Sequence, residues 1–566
     1  MIVSSVSLRK KFNVTTPLGA SEWGIEERDG GLYSHVSYSG HAVKDGSVRI
    51  YARLCKPQGK GKTPAVLLLS DAGKRIDEEL LAYYLEKGYT VLAPDYSGKM
   101  QTDGEGVLRT IYPPSLAHGN YEKARGLTDM DALNAEETTW FEWTYVALFS
   151  IAYLKQCQGV ENIGVVGIRT GGDIAWQAML SPDVKCGVPI NAVGWKSFAD
   201  VAKFGGAAAY HMTDDRHRYI AAVEAQSYAP YVKCPVLMLC AIRDEGFDCD
   251  RAYDTYSRIG CEDGNALVYS AESGACLGPN ALLDMDLFLE KNLKGRQIYI
   301  PDTLNVTLKE TADGLEATID CDKEGLLEET GLFYAEADVK TKCAYRDWQQ
   351  VYKANGKFVK DGRAVCKIKP FEGANAVFVY AYAKYINGFR VMSKITSKKL
   401  TGVRPNAVKG RMLFSGKETD CFGVARYEEY SIGDIFLERE AVPKLVQGYG
   451  GVRGAFSVGG IKTYKISSPK FIPDENALLK FDAYFHETET LKIVVDAGDM
   501  DSGSESYACW IEVKGGGKWK RIVLKAGDFK SERTHMPLKA FAYGSALTFT
   551  CDNADAEYAV TNILWL

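Results

Sequence analysis

The sequence predicts an α/β fold, a doubly wound sheet followed by two all-β sandwich domains, and three patterns carry the prediction. Between about residues 60 and 296, short apolar runs alternate with helix-like stretches, as expected of a largely parallel sheet covered on both faces. After IPDTL (300–304) the helical signals fade and apolar and polar side chains alternate at period two, the pattern of strands with one buried face. Within that part, VFVYAYAKYINGFRVMSKI (377–395) reads as a hairpin, because Asn387-Gly388 suits a type I′ turn, whose two central positions both need φ > 0.

Taken in chain order, SHVSYSGHAV and GSVRIYARL alternate at period two and are predicted to form antiparallel edge strands. Six apolar runs follow as strands: AVLLLS (65–70), TVLAPD (90–95), NIGVVGI (162–168), CGVPINA (186–192), PVLMLCAI (235–242) and ALVYS (266–270). In NAEETTWFEWTYVALFSIAYL (134–154), Asn134 and Glu137 have the spacing of a capping box that opens an apolar helix. The pattern change near 297 predicts three domains, over 1–296, 297–402 and 403–566, with TGVRPNAVKGR read as a linker and the first part able to fold alone. Strands of the last domain are read in LLKFDAYF, LKIVVDAG, WIEVKG, WKRIVL, ALTFT and NILWL. No internal repeat or low-complexity tract is visible.

Composition excludes several function classes. A chain of 566 residues with 46% hydrophobic content buries several cores, and its net charge of −5 gives no support for a nucleic-acid partner. The 14 cysteines are scattered, without a C-x-x-C pair or metal-ligand spacing, and read as reduced, buried small hydrophobes. No metal or cofactor is expected. The start, MIVSSVSLRKKFNVTT, carries its positive charges after its apolar residues, the reverse of a signal peptide. No segment approaches the ~20 apolar residues of a membrane span. The expectation is a cytoplasmic protein with no membrane partner and a small-molecule or carbohydrate ligand; its oligomeric state is left open.

On DAGKRIDEELLAYYLEKGYTVLAPDYSG, the frame IGVVGIRTGGD (163–173) and YAPYVKCPVLMLCAIRDEGFDCDRAYDTY, the first region resembles the α/β-hydrolase superfamily, near its dienelactone-hydrolase and acetyl-xylan-esterase-like branch. Through WKRIVLKAGDFKS and NILWL the last region resembles galactose-binding-like jelly rolls, and 297–402 fits an immunoglobulin- or fibronectin-like sandwich. The first resemblance implies a serine on the sharp turn between a strand and a helix, then an acid, then a histidine, in that chain order. Here the apex of the turn is Arg169. Asp244, with Glu245 beside it, fills the acid position. The loop that would supply the histidine, ESGACLGPN (272–280), holds Cys276 instead. All seven histidines (His35, His41, His118, His211, His217, His486 and His535) lie outside the span from Asp244 to 296. Where many esterases of the superfamily have His-Gly-Gly, this chain has SDAGK (70–74).

Without its base an unactivated hydroxyl is a weak nucleophile, and a guanidinium has no lone pair to attack with. Thr170 lies one residue off the apex. Cys276 lacks a nearby histidine to activate it and reads as a filler of the vacated space. Two readings of Arg169 stand side by side. At a helix N-terminus it could receive a carboxylate or phosphate; equally, it could pair with Asp71 or Asp244 and close the old site. Trp140 and Trp143 read as core, although the resemblance puts the loop before them near the crater, so Trp140 is kept as a ligand candidate.

In HMTDDRHRY (211–219), His211, Asp214 and Asp215 could face a ligand or form a solvated lid surface. Tyr507, Trp510 and Trp519 could stack on a sugar, with Trp519 favoured as core. The leading expectation is a non-catalytic protein that binds an anionic or carbohydrate-related ligand in the crater through Arg169, Thr170, Asp71, Trp140, His211, Asp244 and Glu245. The alternatives are a carbohydrate-active hydrolase that works through Asp71, Asp244 and Glu245, whose carboxylates would then stand ~5–9 Å apart, and an assembly scaffold.

Overall fold

The computed structural model describes residues 4–59, 61–99, 108–128, 130, 133–199, 201–205, 212–271, 274–312, 314–323, 325–401, 408–497, 505–553 and 555–566. They divide into two compact units. The first takes the chain up to 240 with 246–268 and 283–302; the second takes 241–245, 269–282 and 303 onward.

The first unit is built on a nine-stranded sheet: β1 (Ser21–Arg28), β2 (Gly31–Val43), β3 (Gly46–Pro57), β4 (Thr63–Leu69), β5 (Thr90–Pro94), β6 (Val160–Ile168), β7 (Val184–Ile190), β8 (Leu237–Ala241) and β9 (Ala266–Ser270). Their order is β1-β2-β3-β5-β4-β6-β7-β8-β9. β1 to β3 run antiparallel and end on β5, whereas β5, β4, β6, β7 and β8 are parallel. All six predicted apolar runs are strands, and β4 and β5 are almost wholly buried, as strands covered on both faces must be.

The long apolar helix spans Thr139–Gln156 and hides 15 residues from water, Trp140 and Trp143 among them. Its start differs from the expectation. Asn134 and Glu137 do form a capping box, but around a separate turn of 3₁₀ helix, Ala135–Glu137, and the α-helix opens only after Thr138. Among the described residues no helix is long and apolar enough to cross a membrane.

The second unit is all-β beyond residue 303. Strands Asn305–Thr311, Gly314–Asp320 and Arg363–Ile368 form one antiparallel sheet; Gln349–Asn355, Leu327–Ala337, Ala376–Tyr385 and Arg390–Met392 form another, with Thr396–Lys399 alongside. After 408 two six-stranded sheets enclose a core of Phe481, Leu491, Ile493, Phe549, Val560 and Ile563. The predicted hairpin pairs Lys384 with Arg390, but its turn is of another type. Only Gly388 has positive φ (91°), while Gly388 N–H donates to Tyr385 O at 2.8 Å and Tyr385 N–H to Phe389 O at 3.0 Å. The loop has three residues with a glycine bulge, so Asn387 never needs the left-handed region.

Two short strand-end segments, 241–245 and 269–282, belong to this second unit although the chain around them belongs to the first. The cause is backbone pairing and apolar burial. Leu277 N–H donates to Ile435 O (2.7 Å) and Leu437 N–H to Leu277 O (2.8 Å), in a parallel bridge. Cys276 is 0% exposed in a cluster with Val424, Leu437 and Ala441. A chain truncated after Asp302 therefore strips cover from Cys276 and Leu277, and the expected loss is about 3 kcal/mol at ~1.5 kcal/mol or more per side chain of this size. Calorimetric melting with a hydrophobic dye tests this: the truncated chain should melt lower and bind dye, and equal melting without dye binding would refute the dependence.

Candidate functional site

The site of the first unit starts from a steric constraint. A Cβ on Gly171 would stand 2.1 Å from the Leu69 carbonyl oxygen, and one on Gly167 would stand 2.3 Å from that of Gly171. With hydrogen at both positions the helix Thr170–Ala178 is drawn against the ends of β4 and β6, and the chain turns within one residue. That residue is Arg169, at φ 48° and ψ −109°. The region is costly for any side chain, of order 1–3 kcal/mol. The turn is held from both sides, since Arg169 N–H donates to Ile190 O at 2.8 Å and Asp173 N–H to Arg169 O at 3.0 Å.

Asp71 follows β4 by two residues and supplies an anion to this turn. Its Oδ1 accepts from the backbone N–H of Ala72 (3.0 Å) and of Thr170 (3.3 Å). Those are the N–H after the apex and an N–H of the loop beyond β4, the pair of positions that in a hydrolase of this fold would hold the oxyanion. The other oxygen, Oδ2, lies 3.7 Å from Arg169 Nη1. The helix N-terminus favours negative charge there, and Asp71 provides it from within. The ion pair is loose and wet: the Arg169 side chain is 36% exposed and that of Asp71 25%.

Behind the turn lies a second pair, of buried Asp173 and half-buried Lys196. Lys196 Nζ stands 2.5 Å from Asp173 Oδ2 and 5.0 Å from the centre of the Trp140 ring. Burial raises the Asp173 pKa and Lys196 opposes that shift. Tyr96, whose hydroxyl donates to Ser70 O at 2.6 Å, is pushed well above its ordinary value by burial and then by Asp71 and Asp173.

The predicted site residues separate as follows. Asp71, Arg169 and Thr170 come together in the first unit. Trp140 is corrected from ligand candidate to core: it is 2% exposed and its indole N–H donates to Leu127 O at 3.2 Å. His211 lies outside the described residues. Asp214 and Asp215 open the helix Asp214–Ala222, capped by Thr213; Asp214 is exposed and Asp215 pairs with Arg218. Asp244, Glu245 and Cys276 belong to the second unit. Asp244 is buried and its N–H donates to Ala241 O at 3.0 Å. Glu245 accepts from the Tyr345 hydroxyl. Arg243 is buried with its guanidinium 4.5 Å from the Tyr464 ring. Cys276 Sγ lies 3.5 Å from Asp434 O.

Trp510 is exposed beneath the Lys492 ammonium, and Tyr507 packs at the edge of the core. Trp519 is corrected from core to surface: half-buried, it lies across Gly448 and Gly454, and its N–H donates to Tyr449 O at 3.1 Å. Sequence reasoning missed Asp173 and Lys196. Asp173 was within reach as the first acid after the glycine pair, whereas nothing in the local pattern marks Lys196.

Residues 50–262 match the dienelactone hydrolase family. Among solved structures, acetyl xylan esterase 1 from Thermoanaerobacterium sp. is 18% identical, with 50% of this chain and 92% of that one covered at a TM-score of 0.39. An acetyl xylan esterase from Paenibacillus sp. R4 is 18% identical over 51% of this chain and 92% of its own, at 0.38. A cold-adapted esterase from an Arctic intertidal metagenomic library is 15% identical over 48% and 99%, at 0.33. No curated protein matches the chain. The family match and the sheet described above agree on an α/β-hydrolase-like fold for the first region.

An exposed ion pair contributes about 0–1 kcal/mol, less than the strain at residue 169. Arg169→Gly should therefore leave the melting temperature unchanged or raise it, with the entropy of the new glycine in the unfolded chain offsetting part of the relief. Thermal melts read this directly. A fall of several kcal/mol would mean that the Arg169–Asp71 pair carries stability after all.

Proposed function

We propose that the α/β-hydrolase-like domain is a non-catalytic receptor that binds a polar, carbohydrate-related ligand around Arg169 and Asp71. One observation carries the reading: the Asp71 carboxylate rests on the N–H groups of Ala72 and Thr170, where an oxyanion would have to form. A substrate carbonyl would compete there with an internal negative charge. Three further features support the reading. Residue 169 is not a nucleophile, no histidine follows Asp244 before 296, and Cys276 is buried without an imidazole in its cluster. The carbohydrate-active hydrolase reading has less support, because Asp71 already accepts two backbone hydrogen bonds in addition to its ion pair. Arg169 keeps over a third of its side chain in water, and so can still meet a ligand.

The purified protein is expected to show no turnover of p-nitrophenyl acetate or butyrate above a heat-denatured control, and no covalent adduct with a fluorophosphonate probe in mass spectrometry. Turnover or an adduct on a serine or threonine of the first unit would overturn the reading. Asp71→Ala vacates the two N–H groups without supplying a nucleophile, so it too should remain inactive.

A further inference from the structure

We infer that Leu326, Phe358 and Ile386 form the contact through which two copies of this chain associate, weakly and about a twofold axis. The inference concerns the second unit and is independent of the reading of Arg169 and Asp71.

The topology of the five-stranded sheet gathers these three residues at one end. Leu326 precedes the strand Leu327–Ala337, Ile386 follows Ala376–Tyr385, and Leu327 pairs with Tyr385 where the two strands meet. Ile386 N–H donates to Leu326 O at 3.0 Å, so the two residues are held side by side. Phe358 ends the 3₁₀ turn Gly356–Phe358, which follows the neighbouring strand Gln349–Asn355 and is capped by Asn355 Oδ1, the acceptor of Lys357 N–H at 3.2 Å. That turn lies against the same strand start: a Cβ on Gly356 would overlap Leu327 O and stand 3.1 Å from Leu327 Cβ. Single exposed apolar residues are ordinary on protein surfaces. Leu326, Phe358 and Ile386 are 69%, 74% and 65% exposed, three of the four most exposed large apolar side chains among the described residues. Their gathering at one sheet end marks a contact surface.

Shape and charge select the occupant. Side chains this exposed stand out from the surface and do not line the concave pocket that a small molecule needs. The charges beside them are paired within the chain, Glu328 with Lys384 Nζ at 3.0 Å and Glu329 with Lys353 Nζ at 2.8 Å. An anionic lipid surface holds a protein through an excess of lysine and arginine, and here two carboxylates offset the two lysines. A second copy meets neither obstacle. In a twofold contact each apolar side chain is contributed twice, and a rim of paired charges does not repel its own image. The area fits that occupant at low affinity. Three side chains offer roughly 300 Å² of apolar surface per copy, and with their polar surroundings on both copies the contact stays below about 1,200 Å², the range of weak, transient interfaces. Little ordering is lost on association, because Ile386 N–H is already bonded and the turn carrying Phe358 is closed by Val359 N–H on Gly356 O at 3.0 Å.

Sedimentation velocity of the full chain tests the inference. A reversible monomer–dimer equilibrium should appear with a Kd on the order of 10–100 µM, as an interface of this size supports. Phe358→Asp and Ile386→Asp should each weaken it about tenfold or more, because each would place a charge against its own image across the axis. Phe358→Leu should keep the dimer, and so should Met536→Asp, which removes an exposed apolar side chain far along the chain from the patch. The substituted side chains carry little of the native packing, so all variants should melt with the parent. The dimer should persist at high salt, which screens charges but not apolar contact. The inference is overturned if the parent stays monomeric at about ten times the expected Kd, if Phe358→Asp or Ile386→Asp dimerises as the parent does, if Met536→Asp weakens the dimer equally, or if high salt dissolves it. Binding of a monomeric parent to phosphatidylserine vesicles, lost in Phe358→Asp and Ile386→Asp, would assign the patch to a lipid surface and overturn it as well.

Discussion

The contact between the helix Thr170–Ala178 and the ends of β4 and β6 governs the geometry of the first unit's site. Gly167 and Gly171 leave room for hydrogen alone between these backbones. Once they meet, the chain must reverse in one residue, and residue 169 takes its strained conformation whatever side chain it carries. Position 169 is thereby lifted above the sheet at the N-terminus of a helix. Thr170 N–H faces the end of β4, and the second residue beyond β4 can reach it with a carboxylate. The location of Asp71 and Arg169 is thus a product of packing rather than of their attraction for each other.

The energies agree with this order of causes. A wet ion pair worth at most about 1 kcal/mol cannot impose a conformation that costs 1–3 kcal/mol. The helix packs through buried Ile174, Ala175, Trp176 and Ala178, and four such side chains outweigh the strain several times over. The turn is therefore over-determined by its core face. Its solvent face was left to vary in chemistry, and here it carries a guanidinium beside a carboxylate that already occupies the anion-favouring position.

Much of this architecture was legible in the sequence because it depends on local pattern. The apolar runs from AVLLLS to ALVYS required no tertiary information, since strands buried on both faces must be apolar throughout. The glycine spacing around Arg169 gave the turn, because the close approach excludes a Cβ. Chain-distant pairings were not legible. Asp71 meets Thr170 across 99 residues, and Lys196 meets Asp173 from a separate 3₁₀ turn. The Asn387-Gly388 dipeptide likewise fits two turn types, and only the hydrogen bonds from Tyr385 and Gly388 decide between them. Trp519 was misplaced because alternation along a strand says nothing about the residue just before it, which here drapes over two glycines.

The second unit bears on chemistry through what it has taken up. In the hydrolase resemblance the segment after β9 carries the base, and a base must be able to move protons between nucleophile and leaving group. In this chain Leu277 is locked into a parallel bridge with residues 435–437, and Cys276 is sealed among Val424, Leu437 and Ala441. An imidazole placed at 276 would lose its hydration to an apolar cluster and would be too large for the space a thiol fills. The segment after β9 is thus fixed twice within the second unit, by the backbone pairing of Leu277 and by the burial of Cys276.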